Sequence, residues 1–93
     1  MTDMDMNIQT LKSVKGGYKK EDVLAKINAY TIIIVSVESG ADPYSLQSQF
    51  YDADAIELRH EKTGFFGKYG FSEEDSDKYL AELREKAREA LGL

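Results

Sequence analysis

The side chains best suited to chemistry are carboxylates. Asp52, Asp54, Glu57 and Glu61 fall within a single stretch and invite a calcium reading. An EF-hand loop, however, needs oxygen at its fifth position, glycine at its sixth and glutamate at its twelfth. Counted from Asp52, those positions are Ile56, Glu57 and Thr63, so the pattern is not a calcium loop. Glu73, Glu74, Asp75 and Asp77 offer carboxylates for an acid and base pair, but they read better as negative charge placed at the positive end of a helix. His60 is the only histidine and there is no cysteine, which leaves neither a zinc constellation nor a Cys-His dyad to assemble. The expectation is a chain with no catalytic residue, no metal and no cofactor.

The other unusual stretch is GFFGKYGF, residues 64–71, which packs four rings, three glycines and a lysine into eight positions. Its glycine order does not fit the G-x-G-x-x-G of a dinucleotide cradle. Its rings either fill a core between helices or face a partner. Phe71, with Tyr18, is assigned to the core, and Phe65 or Phe66, with Lys68 and Tyr69, to contact. Gly17, Tyr18, Gly70 and Phe71 form the structural motif, with Gly70 expected at a backbone angle costly to other residues.

A chain of 93 residues holds one modest core, and its 42% hydrophobic and 31% charged residues suit a helix-rich globular domain. The net charge of −5 argues against nucleic-acid binding. Lys12, Lys15, Lys19 and Lys20 form a local positive cluster around Gly16 and Gly17, read as a solvated loop ahead of a contact with anionic lipid. No signal-like segment opens the chain and TIIIV, at 31–35, is far too short for a membrane span, so the protein is expected to be cytoplasmic, with peripheral membrane contact as a secondary expectation.

Three helices must carry these groups. Val23, Ile27, Tyr30, Ile34 and Val37 recur at four-three spacing and predict a helix over about 19–38. The β-branched run 32–35 opposes that reading and leaves a buried strand as the alternative. Asp42 then Pro43 reads as an N-cap with proline at the first helical position, giving a second helix over about 43–54. Ser72 caps a third over about 73–91, with Tyr79, Leu80, Leu83, Ala87, Ala90 and Leu91 on its buried stripe. The fold expected is an all-α, three-helix domain over 11–93, preceded by a flexible leader over 1–10. Self-association is expected because so small a domain with a long apolar seam gains core from a second copy.

Residues 17–30, GYKKEDVLAKINAY, align with 70–83, GFSEEDSDKYLAEL, through a glycine, an aromatic, Glu-Asp and later apolar positions. Both segments resemble the N-terminal motif of DivIVA-like proteins. Copy one supplies Gly17, Tyr18, Val23 and Ile27, with Leu24 where aspartate is usual. Copy two supplies Gly70, Phe71, Asp77, Tyr79 and Leu80, with Ser76 in place of valine. The family also sets an aromatic residue and then a basic one before the motif glycine, whereas this chain has Lys68 then Tyr69. The resemblance implies a bacterial scaffold that dimerises through helices, recognises curved membrane and recruits cell-division or wall-growth proteins. The expected function is therefore a noncatalytic interaction module using the aromatic-glycine loop for partner or membrane contact. The alternative is a small ligand-binding domain or enzyme with its site at that loop.

Overall fold

The computed structural model describes residues 10–93, so all of the expected leader except Thr10 lies outside the described residues. In chain order the elements are β1 (Ser13–Lys15), α1 (Lys20–Glu38), a 3-10 turn (Pro43–Leu46), α2 (Gln47–Ala55), β2 (Tyr69–Phe71) and α3 (Glu73–Leu91). The β-branched run lies inside α1, where Ile33 is buried in the core. Burial of a helical stripe outweighs the small propensity penalty of each β-branched residue. The second helix begins as expected with Asp42, whose carboxylate accepts from the Tyr44 N–H at 3.1 Å, although its first turn is 3-10. Ser72 caps α3 by accepting from the Asp75 N–H at 3.3 Å.

The all-α expectation needs correction, because β1 and β2 pair antiparallel with Ser13 opposite Phe71, Val14 opposite Gly70 and Lys15 opposite Tyr69. On the other edge of β2, Tyr18 and Phe71 exchange two backbone hydrogen bonds, each 2.9 Å. The chain therefore passes from one side of β2 to the other at Gly16 and Gly17. This crossing requires backbones in direct contact: a Cβ on Gly70 would lie 2.2 Å from the Tyr18 carbonyl oxygen, and one on Gly17 would lie 2.1 Å from that of Phe71. Gly70 is thus needed for close approach and not for an unusual backbone angle, since the positive φ values belong to Gly16, Gly40, Gly64 and Gly92.

From this crossing α1 and α3 run side by side in one direction. Tyr18, just before α1, donates to Asp77 early in α3 at 3.0 Å. Farther along, Tyr30 of α1 and Arg84 of α3 both bond the Asp54 carboxylate of α2. Val23, Ile27, Tyr30 and Ile33 share one core with Tyr79, Leu80, Leu83 and Ala87, and α2 adds Phe50 and Ala53. Phe71 is buried in the same core.

The two repeats face each other across this core as a pseudo-two-fold pair. At a constant offset of 53, Val23 corresponds to Ser76, Ile27 to Leu80 and Tyr30 to Leu83, and all six side chains are buried. The correspondence begins earlier than the aligned segments. The Lys19 N–H donates to the Arg59 carbonyl at 2.8 Å while the Arg59 N–H reaches Asp22 at 3.0 Å. Reciprocally, the Ser72 N–H donates to the Lys12 carbonyl at 2.8 Å while the Lys12 N–H reaches Asp75 at 3.1 Å. Each helix start thus clamps the segment that leads into the other copy. Leu11–Lys15 therefore matches Leu58–Lys62, and copy two carries a six-residue insertion, Thr63–Lys68, that copy one lacks.

Candidate functional site: the diphenylalanine turn

That insertion is where the exposed aromatic residues lie. The Gly67 N–H donates to the Gly64 carbonyl at 3.0 Å, closing a turn with Phe65 and Phe66 at its two central positions. Gly64 takes φ of +106°, a conformation that side-chain-bearing residues avoid. Phe65 and Phe66 are 89% and 91% exposed, and their rings meet edge to face at 4.9 Å. Both face outward, where the sequence assigned one. Their mutual contact leaves most of each ring in water, which is unusual for so large an apolar side chain.

The base of the turn is held firmly. A Cβ on Gly67 would sit 2.6 Å from the Lys62 carbonyl oxygen, and one on Gly16 would sit 2.3 Å from the Thr63 methyl. The Gly16 N–H also donates to the Lys68 carbonyl at 3.3 Å. Lys68 and Tyr69 are exposed beside the turn, and Lys15 lies opposite Tyr69 in the sheet. Gly17, Tyr18, Gly70 and Phe71 form the crossing beneath. Segments 10–20 and 62–72, which build the sheet and the turn, hold Lys12, Lys15, Lys19, Lys20, Lys62 and Lys68 and no carboxylate. Carboxylates border these segments at Glu21, Asp22, Glu61, Glu73 and Asp75, and Lys19 is paired with Glu61, so the lysines nearest the turn are Lys62 and Lys68 with Lys15 across the sheet.

Two polar clusters brace the crossing. Asp22 accepts from Arg59 Nε at 2.9 Å and Nη2 at 2.8 Å, as well as from the Arg59 backbone N–H. Those side-chain and backbone hydrogen bonds hold the Asp22 carboxyl down at about 2, against an ordinary value of 3.8. On the other side, His60 pairs with Glu73 at 3.0 Å and its ring lies 4.9 Å from that of Tyr18. Burial, reinforced by the bond to Asp77, pushes the Tyr18 hydroxyl up to about 12, so it remains a donor. Lys19 pairs with Glu61 at 3.7 Å. His60 thus bridges to Tyr18 through its backbone while its side chain stays 54% exposed, as befits a surface residue.

Away from the turn, Asp54 joins the three helices. It accepts from the Tyr30 hydroxyl and from Arg84 Nε and Nη2, while Lys26 Nζ donates to the carbonyls of Asp54 at 3.0 Å and Ile56 at 2.9 Å. Burial is the main cause raising the Tyr30 hydroxyl above its ordinary value, and it lowers the Lys26 ammonium. A depression of about 410 Å³ lies over this network, lined by Lys26, Tyr30, Asp54, Leu58, Leu80 and Arg84. Every charged group named there already has an intramolecular partner, as expected of a network that fixes the relation of three helices. Among the described residues no group of three or more His, Asp and Glu side chains is placed to hold a metal ion. No described helix is long and apolar enough to cross a membrane.

Sequence reasoning missed Lys62, the second lysine flanking the turn, and the clamp of Arg59 on Asp22. Their signal is the pairing of LKSVK (11–15) with LRHEK (58–62), hidden by the six-residue insertion between Lys62 and the motif glycine. No family model matches the chain, and no curated protein or solved structure does.

Proposed function

We propose that the chain is a noncatalytic interaction module whose contact element is the diphenylalanine turn, and that its target is an anionic membrane surface. The observation carrying this reading is the pair of almost fully exposed rings, Phe65 and Phe66, on a turn flanked by lysine-bearing segments without a carboxylate. Rings of this kind gain by entering the interface below the headgroups, and neighbouring lysines add attraction to anionic lipid of about 1 kcal/mol each when near the surface. The turn is also the one feature that departs from the pairing of the two repeats at this end. The fold closes without it in copy one, so its residues are free to serve contact. The resemblance to DivIVA-like motifs points the same way, toward a scaffold that brings division or wall-growth proteins to a membrane.

Vesicle co-sedimentation tests the reading. Phe66→Ser with Lys68→Glu should leave the melting temperature nearly unchanged and lower binding to vesicles containing anionic lipid at least tenfold, by about 1.4 kcal/mol or more. Parent binding should fall steeply with added salt. No binding of the parent to anionic vesicles overturns the membrane target; capture of a protein partner that the double variant loses would assign the turn to protein contact instead.

A further inference from the structure

We infer that the diphenylalanine turn of one copy of this chain seats in a groove between α1 and α2 of a second copy. The apolar seam expected to drive self-association, Val23, Ile27, Tyr30, Ile34 and Val37, packs within the chain and against its core, so it is not available for a partner. The groove lies beside that seam. Ala29 and Ile32 of α1, with Ala53 and Ile56 at the end of α2, line a depression of about 360 Å³ that Gln49 and Asp52 complete. Ala53 is buried and Ile32 is more than half exposed, so an alanine forms the floor and an isoleucine a wall. A space of that volume, at the lower end of the roughly 300–1,000 Å³ of small-ligand pockets, suits an inserted ring better than a whole helix.

The pseudo-two-fold supplies an internal control. At the same offset of 53, Ala29 and Ile32 correspond to Glu82 and Glu85 of α3. Glu85 pairs with Arg88 in solvent, the ordinary solution for the outer face of a helix. The fold therefore does not require apolar residues at these positions, just as it does not require the inserted turn. Each copy of the repeat thus carries one apolar feature that the other lacks, a groove in copy one and a projecting pair of rings in copy two. Phe65 and Phe66, 89% and 91% exposed, do not enter the groove of their own chain.

Charge selects the occupant. Residues 27–58, which hold most of the groove, contain Glu38, Asp42, Asp52, Asp54 and Glu57 and no lysine or arginine. Asp54 is taken by Arg84, whereas Asp52 in the groove and Glu57 beside Ile56 form no ion pair among the described residues. The cation next along α1, Lys26, is held by the carbonyls of Asp54 and Ile56. At the turn the free charge has the opposite sign. Lys62 and Lys68 flank the rings, Lys15 lies across the sheet, and none of the three is in an ion pair among the described residues. Of the carboxylates bordering that end, Glu61, Glu73 and Asp22 pair with Lys19, His60 and Arg59, and Asp75 accepts from the Lys12 N–H. Glu21 and Glu74 stay free, but both stand in the first turn of a helix, where the dipole offsets their charge. Seating the turn therefore covers both apolar features and brings Lys62 and Lys68 toward Asp52 and Glu57. The contact joins unlike surfaces, so each chain keeps a groove or a turn for a further copy unless a ring closes. Two rings in one depression bury well below about 1,200 Å² in total, the range of weak, reversible association. A seated turn is withheld from a membrane, so the two contacts compete for the same rings; the inference itself needs only the exposed turn and not its membrane target.

Sedimentation velocity of the full chain should show concentration-dependent association that weakens as salt is added. Phe66→Ser with Lys68→Glu removes the inserting element, and Ile32→Glu with Asp52→Lys removes the groove. Each double variant should keep the helical circular dichroism and melting temperature and raise the dissociation constant at least about tenfold. Mixing the two should restore association as a 1:1 heterodimer with about the parent's dissociation constant, because one variant keeps the groove and the other keeps the turn. A parent that remains monomeric at millimolar concentration, a groove variant that associates like the parent, or a mixture no tighter than either variant alone overturns the inference. The groove variant retains the turn and should bind vesicles containing anionic lipid at least as well as the parent. The membrane reading is thus decided on vesicles and this contact on sedimentation, so either can fail without the other.

Discussion

At the scale of single residues, the two motif glycines act through space and not through backbone angle. A methyl group at residue 70 would overlap the Tyr18 carbonyl oxygen, and neither strand can retreat without losing the paired hydrogen bonds between Tyr18 and Phe71. Gly70→Ala should therefore lower stability by about 3 kcal/mol or more, the upper range for forced overpacking, as read from urea denaturation. A change below 0.5 kcal/mol, or roughly the level of an ordinary surface substitution, would show that the strands separate freely. Ser76 makes the opposite case. Its hydroxyl is buried with no hydrogen-bond partner, and its counterpart in copy one is the fully buried Val23. Ser76→Val removes an unsatisfied polar group and restores the aliphatic residue, so it should stabilise by about 1 kcal/mol. Loss of stability would mean that the pocket around residue 76 is too small for a second methyl and that the two halves of the core are less alike than their backbones.

Among the elements, the helices were legible in the sequence and the strands were not. Apolar spacing located α1 to within a residue at its start, and the Ser72 cap located α3, because both signals are local and both helices expose a polar face somewhere along their length. The three-residue strands give no periodicity to read, and what holds them is a contact between glycines far apart in the chain. The diphenylalanine turn was legible as a cluster, yet its status as an insertion was not, since that needs the spatial pairing of Leu11–Lys15 with Leu58–Lys62. The clamp between the 58–62 segment and α1 makes its own prediction. The Asp22 carboxyl is held at about 2 by its bonds from Arg59, below the ordinary 3.8. A depressed carboxyl contributes stability that is fully present above the ordinary value and is lost as the pH falls toward the folded one. Asp22→Asn should thus melt lower than the parent at neutral pH, and the two melting temperatures should converge between pH 3.8 and about 2. A difference that stays constant through that window would assign the effect to packing instead of charge.

For the molecule as a whole, the reciprocal clamps mean that neither copy is structurally complete alone. Copy one needs Arg59 and Phe71 to satisfy its helix start, copy two needs Lys12 and Tyr18, and the core side chains of α1 and α3 bury one another. A repeat array whose units merely stack can unfold unit by unit, but an interlocked pair loses both cores together. Urea denaturation followed by tyrosine fluorescence and by helical circular dichroism should therefore give coincident single transitions. Native-state amide exchange offers the sharper measurement. Gly17→Ala, placed in copy one, should reduce protection at the start of α3 as well as α1, because the same crossing orients both. Loss of protection confined to α1, with α3 keeping the parent's exchange rates, would show two separable units and would undo the account of the crossing as the element that joins them.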